Sequence, residues 1–171
     1  MALIITTFVV VLCVLPAMVV AIRSLTMKPF IVKGRVYCDP CRLGFETPIT
    51  TYIPSAVVIL QCKDKITNKI VYKKLVRTDS SGSYTILVDA FHENQICDAK
   101  LVTRPMHHCN EPTLGRDQSP VILNRHNGII TYDRFVNNIG FMTKEVASDC
   151  AKILRQYQEF DNDKNELSHY N

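Results

Sequence analysis

The chain has no Gly-x-Ser-x-Gly, no His-Glu-x-x-His and no glycine-rich phosphate loop. The local arrangements that activate a serine, hold a catalytic zinc or cradle a nucleotide are therefore missing. Long basic runs are missing too. Lys73-Lys74 is the longest, which is no footprint for a nucleic acid. There is no internal repeat and no low-complexity tract, and no helical stretches alternate with strand-like ones, which argues against a parallel α/β sheet. Asp, Glu, Lys and Arg are all absent from residues 1–21, and no second hydrophobic run of that length follows.

That uncharged leader sets the compartment. Residues 3–20 are almost wholly apolar, broken by Thr6, Thr7 and Pro16, and Val19-Val20-Ala21 offers a signal-peptidase site just before Ile22-Arg23. The segment has no basic n-region and is also long enough for an uncleaved anchor, but Pro16 and the cleavage site favour removal. We expect a cleaved signal peptide over residues 1–21, one domain over 22–160 and a disordered polar tail over 161–171. The 150 residues left when 21 leave a chain of 171 are enough for a real core. The mature chain is expected to be soluble and not membrane-embedded. Its net charge of +4 allows at most weak attraction to acidic polysaccharide or membrane surfaces.

Of seven cysteines, Cys13 leaves with the leader. Cys38, Cys41, Cys62, Cys97, Cys109 and Cys150 remain, an even set that reads as a disulfide framework in an exported chain. By themselves they permit about 15 pairings.

Strand chemistry recurs along the chain. It marks residues 30–37, 56–62 (apolar enough for burial on both faces), 70–76, 83–88, 98–103, 120–123 and 129–132. Thr67-Asn68-Lys69 and Asp79-Ser80-Ser81-Gly82 separate these runs, and Asn127-Gly128 is a hairpin dipeptide. Residues 38–54, with three prolines and Gly44, read as a covering loop or edge. Near the end the period changes. Val146, Cys150, Ile153, Leu154 and Tyr157 fall on one helical stripe over 143–160, with Thr143 placed to cap it. The expected fold is all-β: a small antiparallel barrel or sandwich of about seven strands with one short C-terminal helix.

Gly34-Arg35-Val36-Tyr37-Cys38-Asp39-Pro40-Cys41-Arg42 resembles the signature of the olive-pollen main-allergen (Ole e I) family, which includes late anther-specific proteins. Gln61-Cys62-Lys63-Asp64, Gly82-Ser83-Tyr84, Cys109-Asn110-Glu111, Asn127-Gly128, Gly140-Phe141, Lys144-Glu145 and the spacing of the six cysteines extend the likeness over about residues 30–155. The resemblance implies the pairing Cys38–Cys109, Cys41–Cys150 and Cys62–Cys97. It also implies an extracellular protein of the apoplast or cell wall, linked to pollen development, germination or tube growth, and acting as a ligand of a receptor-like kinase. Signature residues carried over are Gly34, Val36, Tyr37, Cys38, Asp39, Cys41 and Arg42. Members often carry an N-glycosylation sequon at the Asn-Gly turn. Here Ile129 stands where Ser or Thr is required, and no other sequon occurs.

Several motifs admit a sharper reading. Cys38-Asp39-Pro40-Cys41 has thioredoxin-like spacing, but no helix pattern follows it, so structural disulfides are expected. His107-His108-Cys109 with Cys38 and Cys41 has zinc-ligand types, but disulfides are the commoner fate in an oxidising compartment. Asp79, Ser80 and Ser81 are turn formers, and the pair Asp161 and Asp163 lies in the tail. Arg42 reads as a partner of Asp39 or a strand-end anchor. No catalytic residue, metal or cofactor is expected, and the chain reads as a binding protein. The alternative to a receptor ligand is a wall module that holds acidic or arabinogalactan-type polysaccharide through Lys33, Arg35, Lys73 and Lys74.

Overall fold

In the computed structural model, residues 28–102, 108–112, 115–125 and 127–168 are described, with side chains as far as Glu159. The signal peptide expected at residues 1–21 lies outside them. The described residues form ten strands and one helix: β1 (Phe30–Asp39), β2 (Thr51–Tyr52), β3 (Val57–Asp64), β4 (Ile70–Arg77), β5 (Ser83–Val88), β6 (Gln95–Leu101), β7 (Cys109–Pro112), β8 (Gln118–Val121), β9 (Asp133–Phe135), β10 (Ile139–Thr143) and α1 (Cys150–Ser168).

Two sheets face each other across one core, so the molecule is a sandwich and not a closed barrel. The second sheet runs β4-β3-β6-β8, antiparallel throughout. The first is organised by β1, which has four partners. Its N-terminal half lies between antiparallel β5 and parallel β9, and its C-terminal half between antiparallel β2 and parallel β10. β7 continues from β10.

Alternation along the strands fills the space between the sheets. Phe30, Val32 and Val36 of β1, Val58 and Leu60 of β3, Tyr84, Ile86 and Val88 of β5, and Ala99 and Leu101 of β6 are buried in one cluster. A fully buried leucine such as Leu60 contributes about 1.5–3 kcal/mol by leaving water. Three disulfides tie the layers: Cys38–Cys109, Cys41–Cys150 and Cys62–Cys97, closing sequence separations of 71, 109 and 35 residues.

Several local expectations need correction. β3 is not buried on both faces, because Val57, Ile59 and Gln61 are only partly covered. The strand expected at 98–103 starts earlier, at Gln95, and sets Cys97 opposite Cys62. The strand expected at 129–132 is displaced to Asp133–Phe135, and Asn127-Gly128 closes no hairpin. Gly128 does take the left-handed conformation (φ 81). Its two arms nevertheless go to different sheets, β8 to β6 and β9 to β1. Strands β2, β7 and β10 raise the total above seven. Thr143 caps no helix. It stays in the β10–β7 ladder opposite Cys109, and the helix begins at Cys150, where the Asp149 carbonyl accepts from the Ile153 amide. The helix runs on to Ser168. Of the proposed stripe, Cys150 and Ile153 are buried with Cys41 in a satellite cluster, while Val146, Leu154 and Tyr157 are exposed.

Candidate functional site

The signature residues sit where β1 leaves the first sheet, and most of them hold backbone. A Cβ on Gly34 would stand 2.5 Å from the Tyr84 hydroxyl oxygen and 2.7 Å from its ring, so only glycine lets the opposite tyrosine lie across β1. Val36 is in the core, and Tyr37 is buried on the other face of the strand. Asp39 is fully buried and accepts two backbone N–H bonds, from Cys41 at 3.0 Å and from Gly44 at 2.7 Å. It thereby shapes the turn that separates Cys38 from Cys41. Arg42 adopts φ 57. Its Nη1 donates to the Glu111 carboxylate at 2.6 Å and to the carbonyls of Thr143 and Lys144. Arg42 is thus a strand-end anchor. Its acidic partner is Glu111 on β7, while Asp39 is taken up by backbone amides.

The sharper chemical readings find no thiol to work with. Cys38 and Cys41 are each bonded to a distant cysteine. His107 lies outside the described residues and His108 is exposed. The ligand atoms of Cys62, Cys97 and buried His92 lie within 4.8 Å of one another, but the two sulfurs are joined, so neither is a thiolate. His92 Nδ1 is 2.6 Å from Gln95 Oε1, and its ring packs on Tyr72. Asp79 is a turn former: its carboxylate accepts from Ser81 N, Ser81 Oγ and Ser83 N, bonds that hold it below the usual carboxylate range.

The four basic residues put forward for polysaccharide do not converge. Lys33 and Arg35 lie on β1, and Lys73 and Lys74 on β4. Lys33 pairs with Asp133 at 2.8 Å, Arg35 stacks on Tyr52, and Lys74 donates to the Leu87 carbonyl.

A different cationic site emerges beside β9. Parallel pairing with β1 turns Asp133 and Phe135 outward and Arg134 inward, where only 4% of it remains accessible. Its guanidinium donates to the carbonyls of Ile122 (2.8 Å), Asp133 (3.0 Å), Asn124 (3.4 Å) and Thr131, stapling the segment 122–133. It lies 4.5 Å from the Phe30 ring, Phe30 meets Phe91 edge-on, and Arg125 lies 4.1 Å above Phe91. Two guanidiniums thus bracket an aromatic cluster. Burial pushes the Arg134 guanidinium down from its ordinary value, and the nearby Asp133 charge opposes that shift. Among the described residues neither arginine has a carboxylate at ion-pair distance, since Asp133 is engaged by Lys33. No spacing in the sequence points to this pair. Their meeting depends on β9 joining the first sheet.

Three depressions follow one another along β9. The first, about 350 Å³, is lined by Arg125, Ile130, Tyr132 and Arg134 among others. The second, about 320 Å³, shares Ile129, Thr131 and Arg134 with it and adds Phe135. The third, about 310 Å³, shares Phe135 and adds Lys33, Arg35 and Tyr84. On the far side of the sandwich no described residue covers the outer face of the second sheet. Cross-strand pairing aligns Leu75 with Ile59, Arg77 with Val57 and Lys100 with Ile59. Leu75 there is 62% exposed.

Comparison with known proteins accords with this architecture. The family model described as "Pollen protein Ole e 1 like" matches residues 28–158. The chain is 38% identical over 152 residues to the protein DOWNSTREAM OF FLC of Arabidopsis thaliana, covering 88% of this chain and 93% of that one. It is 39% identical over 131 residues to an Olee1-like protein of Betula pendula, covering 74% and 78%. The crystal structure of the major plantain pollen allergen Pla l 1 superposes with a TM-score of 0.64 at 31% identity, covering 71% of this chain and 99% of that one. Among the described residues no helix is long and apolar enough to cross a membrane. By signature, disulfide-tied sandwich and sequence likeness, this chain belongs to the Ole e 1-like pollen protein family.

Proposed function

We propose that the chain acts outside the cell as a non-enzymatic binding protein, a ligand for the ectodomain of a receptor-like kinase in pollen development, germination or tube growth. Membership of a pollen protein family and a disulfide-tied fold support the setting. The observation that carries the binding reading is the outer face of the second sheet, which no described residue covers. Leu75, Ile96 and Val102 are exposed there, with Val57 and Ile59 partly so, and Lys63, Lys73, Arg77 and Lys100 surround them with Asp98 as the acid among them. Exposed apolar area rimmed by charge marks interaction surfaces, and this rim suits an acidic one. The test is cross-linking of the oxidised protein to pollen membranes, then binding to the isolated ectodomain of whichever kinase is identified. Leu75→Asp should abolish both. Undiminished ectodomain binding by that variant, or failure to bind any kinase ectodomain, would remove the reading.

A second reading, a wall-associated module that binds acidic polysaccharide, is favoured by the arginine-bearing depressions along β9.

A further inference from the structure

We propose that the three linked depressions along β9 form a groove for the carboxylate-bearing rings of a uronic-acid polysaccharide, with Arg125 as the fork that receives a carboxylate. The inference rests on the second reading above and gives that reading a site.

The groove is built, not incidental. Arg134 is nearly all buried, and its four backbone bonds fix the wall that the first two depressions share. Among the described residues no carboxylate lies at ion-pair distance from it, and the acid that lines the second depression, Asp133, is paired with Lys33. Arg125 differs. It is exposed, its guanidinium carbon lies 4.1 Å from the centre of the Phe91 ring, and it donates no hydrogen bond to any described residue. Its guanidinium donors are thus unspent among the described residues, and a guanidinium fork matches a carboxylate in bidentate fashion. Arg35 carries the positive lining on to the third depression, beside Lys33, whose charge is met by Asp133.

The rest of the lining suits sugar rings. Tyr132 and Phe135 offer apolar faces, Phe135 being 81% exposed, and Thr131 adds a hydroxyl. Consecutive depressions with common walls fit a chain of repeating units. An acidic peptide fits less well. A peptide adding to a sheet edge needs free carbonyls and amides, whereas β9 is three residues long and the carbonyls of Thr131 and Asp133 already accept from Arg134.

The experiment is a calorimetric titration of the oxidised protein with oligogalacturonate, with chemical-shift mapping of the same mixture. Saturable binding that weakens with salt is expected, with shifts at Arg125, Ile129, Tyr132 and Phe135. Arg125→Gln should weaken it on the order of tenfold, the scale of one charge-assisted bond. Lys152→Gln, on the exposed side of α1 and outside the groove, should leave it unchanged. Fully methyl-esterified oligomer, which has no carboxylate, should not bind. No saturable binding, an unaffected Arg125→Gln variant or equal binding of the methyl ester would overturn the inference. Tighter binding of a polyglutamate of equal charge would reassign the groove to an acidic peptide. Binding of a neutral wall glycan with none of oligogalacturonate would sink the groove while leaving the wall reading intact. Binding of no glycan at all would end both.

Discussion

Tyr37 covers Gly140. The two stand opposite each other in the parallel β1–β10 pair, and a Cβ on residue 140 would lie 2.7–2.9 Å from three atoms of the tyrosine ring. Gly34 and Tyr84 repeat the arrangement in the β1–β5 pair. Each glycine gives up a side chain so that an aromatic ring can cross the backbone of its neighbour.

Gly140→Ala should therefore destabilise the protein by about 1–3 kcal/mol, the usual cost of overpacking a filled core. Tyr37 is buried, so it has little room to swing away. A urea melt gives the answer. Pairing the change with Tyr37→Leu should recover part of the loss, a coupling expected only of residues in contact. An unmoved midpoint for Gly140→Ala would show that the ring is not held there.

Arg42 lends itself to a graded comparison. Arg42→Ala removes the bonds to Glu111, Thr143 and Lys144, whereas Glu111→Gln removes only the ionic partner. The ion pair is partly exposed on both sides, so the glutamine variant should lose less than about 1 kcal/mol. The alanine variant should lose more, about 1–3 kcal/mol, because carbonyls lose a charged donor. Arg42→Gly should be milder than Arg42→Ala, since glycine adopts φ 57 without penalty. Denaturant midpoints of the three variants rank the effects.

Replacing Cys41 and Cys150 by serine should lower stability more than replacing Cys62 and Cys97. The loops span 109 and 35 residues, a difference of about 1 kcal/mol in the chain-entropy account. The first bridge also docks α1, whose buried contact is otherwise Ile153 against Leu43, Ile49 and Ala147. Removing the second leaves β3 and β6 still paired along seven positions. Urea melts with hydrogen exchange on residues 150–157 separate the two variants. Unchanged protection of the helix in the Cys41/Cys150 variant would refute its dependence on the bridge.

Alkaline pH should single out Tyr84. Its hydroxyl is buried without a hydrogen-bond partner, and desolvation raises its pKa well above the ordinary tyrosine value. The folded state keeps this proton over a range in which the unfolded chain, titrating near 10, has lost it. The unfolded state then binds fewer protons, so stability is full below about pH 10 and falls as pH rises beyond it. Tyr84→Phe should flatten that fall. At neutral pH it should cost little, because the hydroxyl satisfies nothing. Melts at pH 7 and pH 11 check both statements.

Much of the sandwich was legible in local pattern. β1, β3, β4 and β5 are placed within two residues, β1 and β5 by alternation, and β3 and β4 by β-branched runs on either side of the polar turn at 67–69. Placement failed where a partner far along the chain decides. Ile129 and Ile130 have strand chemistry, yet Ile130 is 96% exposed. The strand forms four residues later, because pairing with β1 and the interior bonds of Arg134 set the register. The helix start failed for a related reason. Thr143 has capping chemistry, but the ladder to β7 still holds it. Of the candidate site, Lys33 and Arg35 were visible as basic residues on a strand. Arg125 and Arg134 were not, since nothing local says that the residues after an Asn-Gly turn will cross to the other sheet.

The position of β1 bears on the order in which the molecule can be finished. Its partners β9 and β10 are about a hundred residues further along, with Val36 opposite Ile139. A nascent chain thus carries its central strand for most of its synthesis with one edge open. Long-range pairing of this kind is slow to form and exposes edges to neighbouring chains. Cys38 must likewise wait for Cys109, and Cys41 for Cys150. The last third of the chain is therefore what closes the first, and a ribosome that stops before residue 133 releases a sheet with no centre partner on that side.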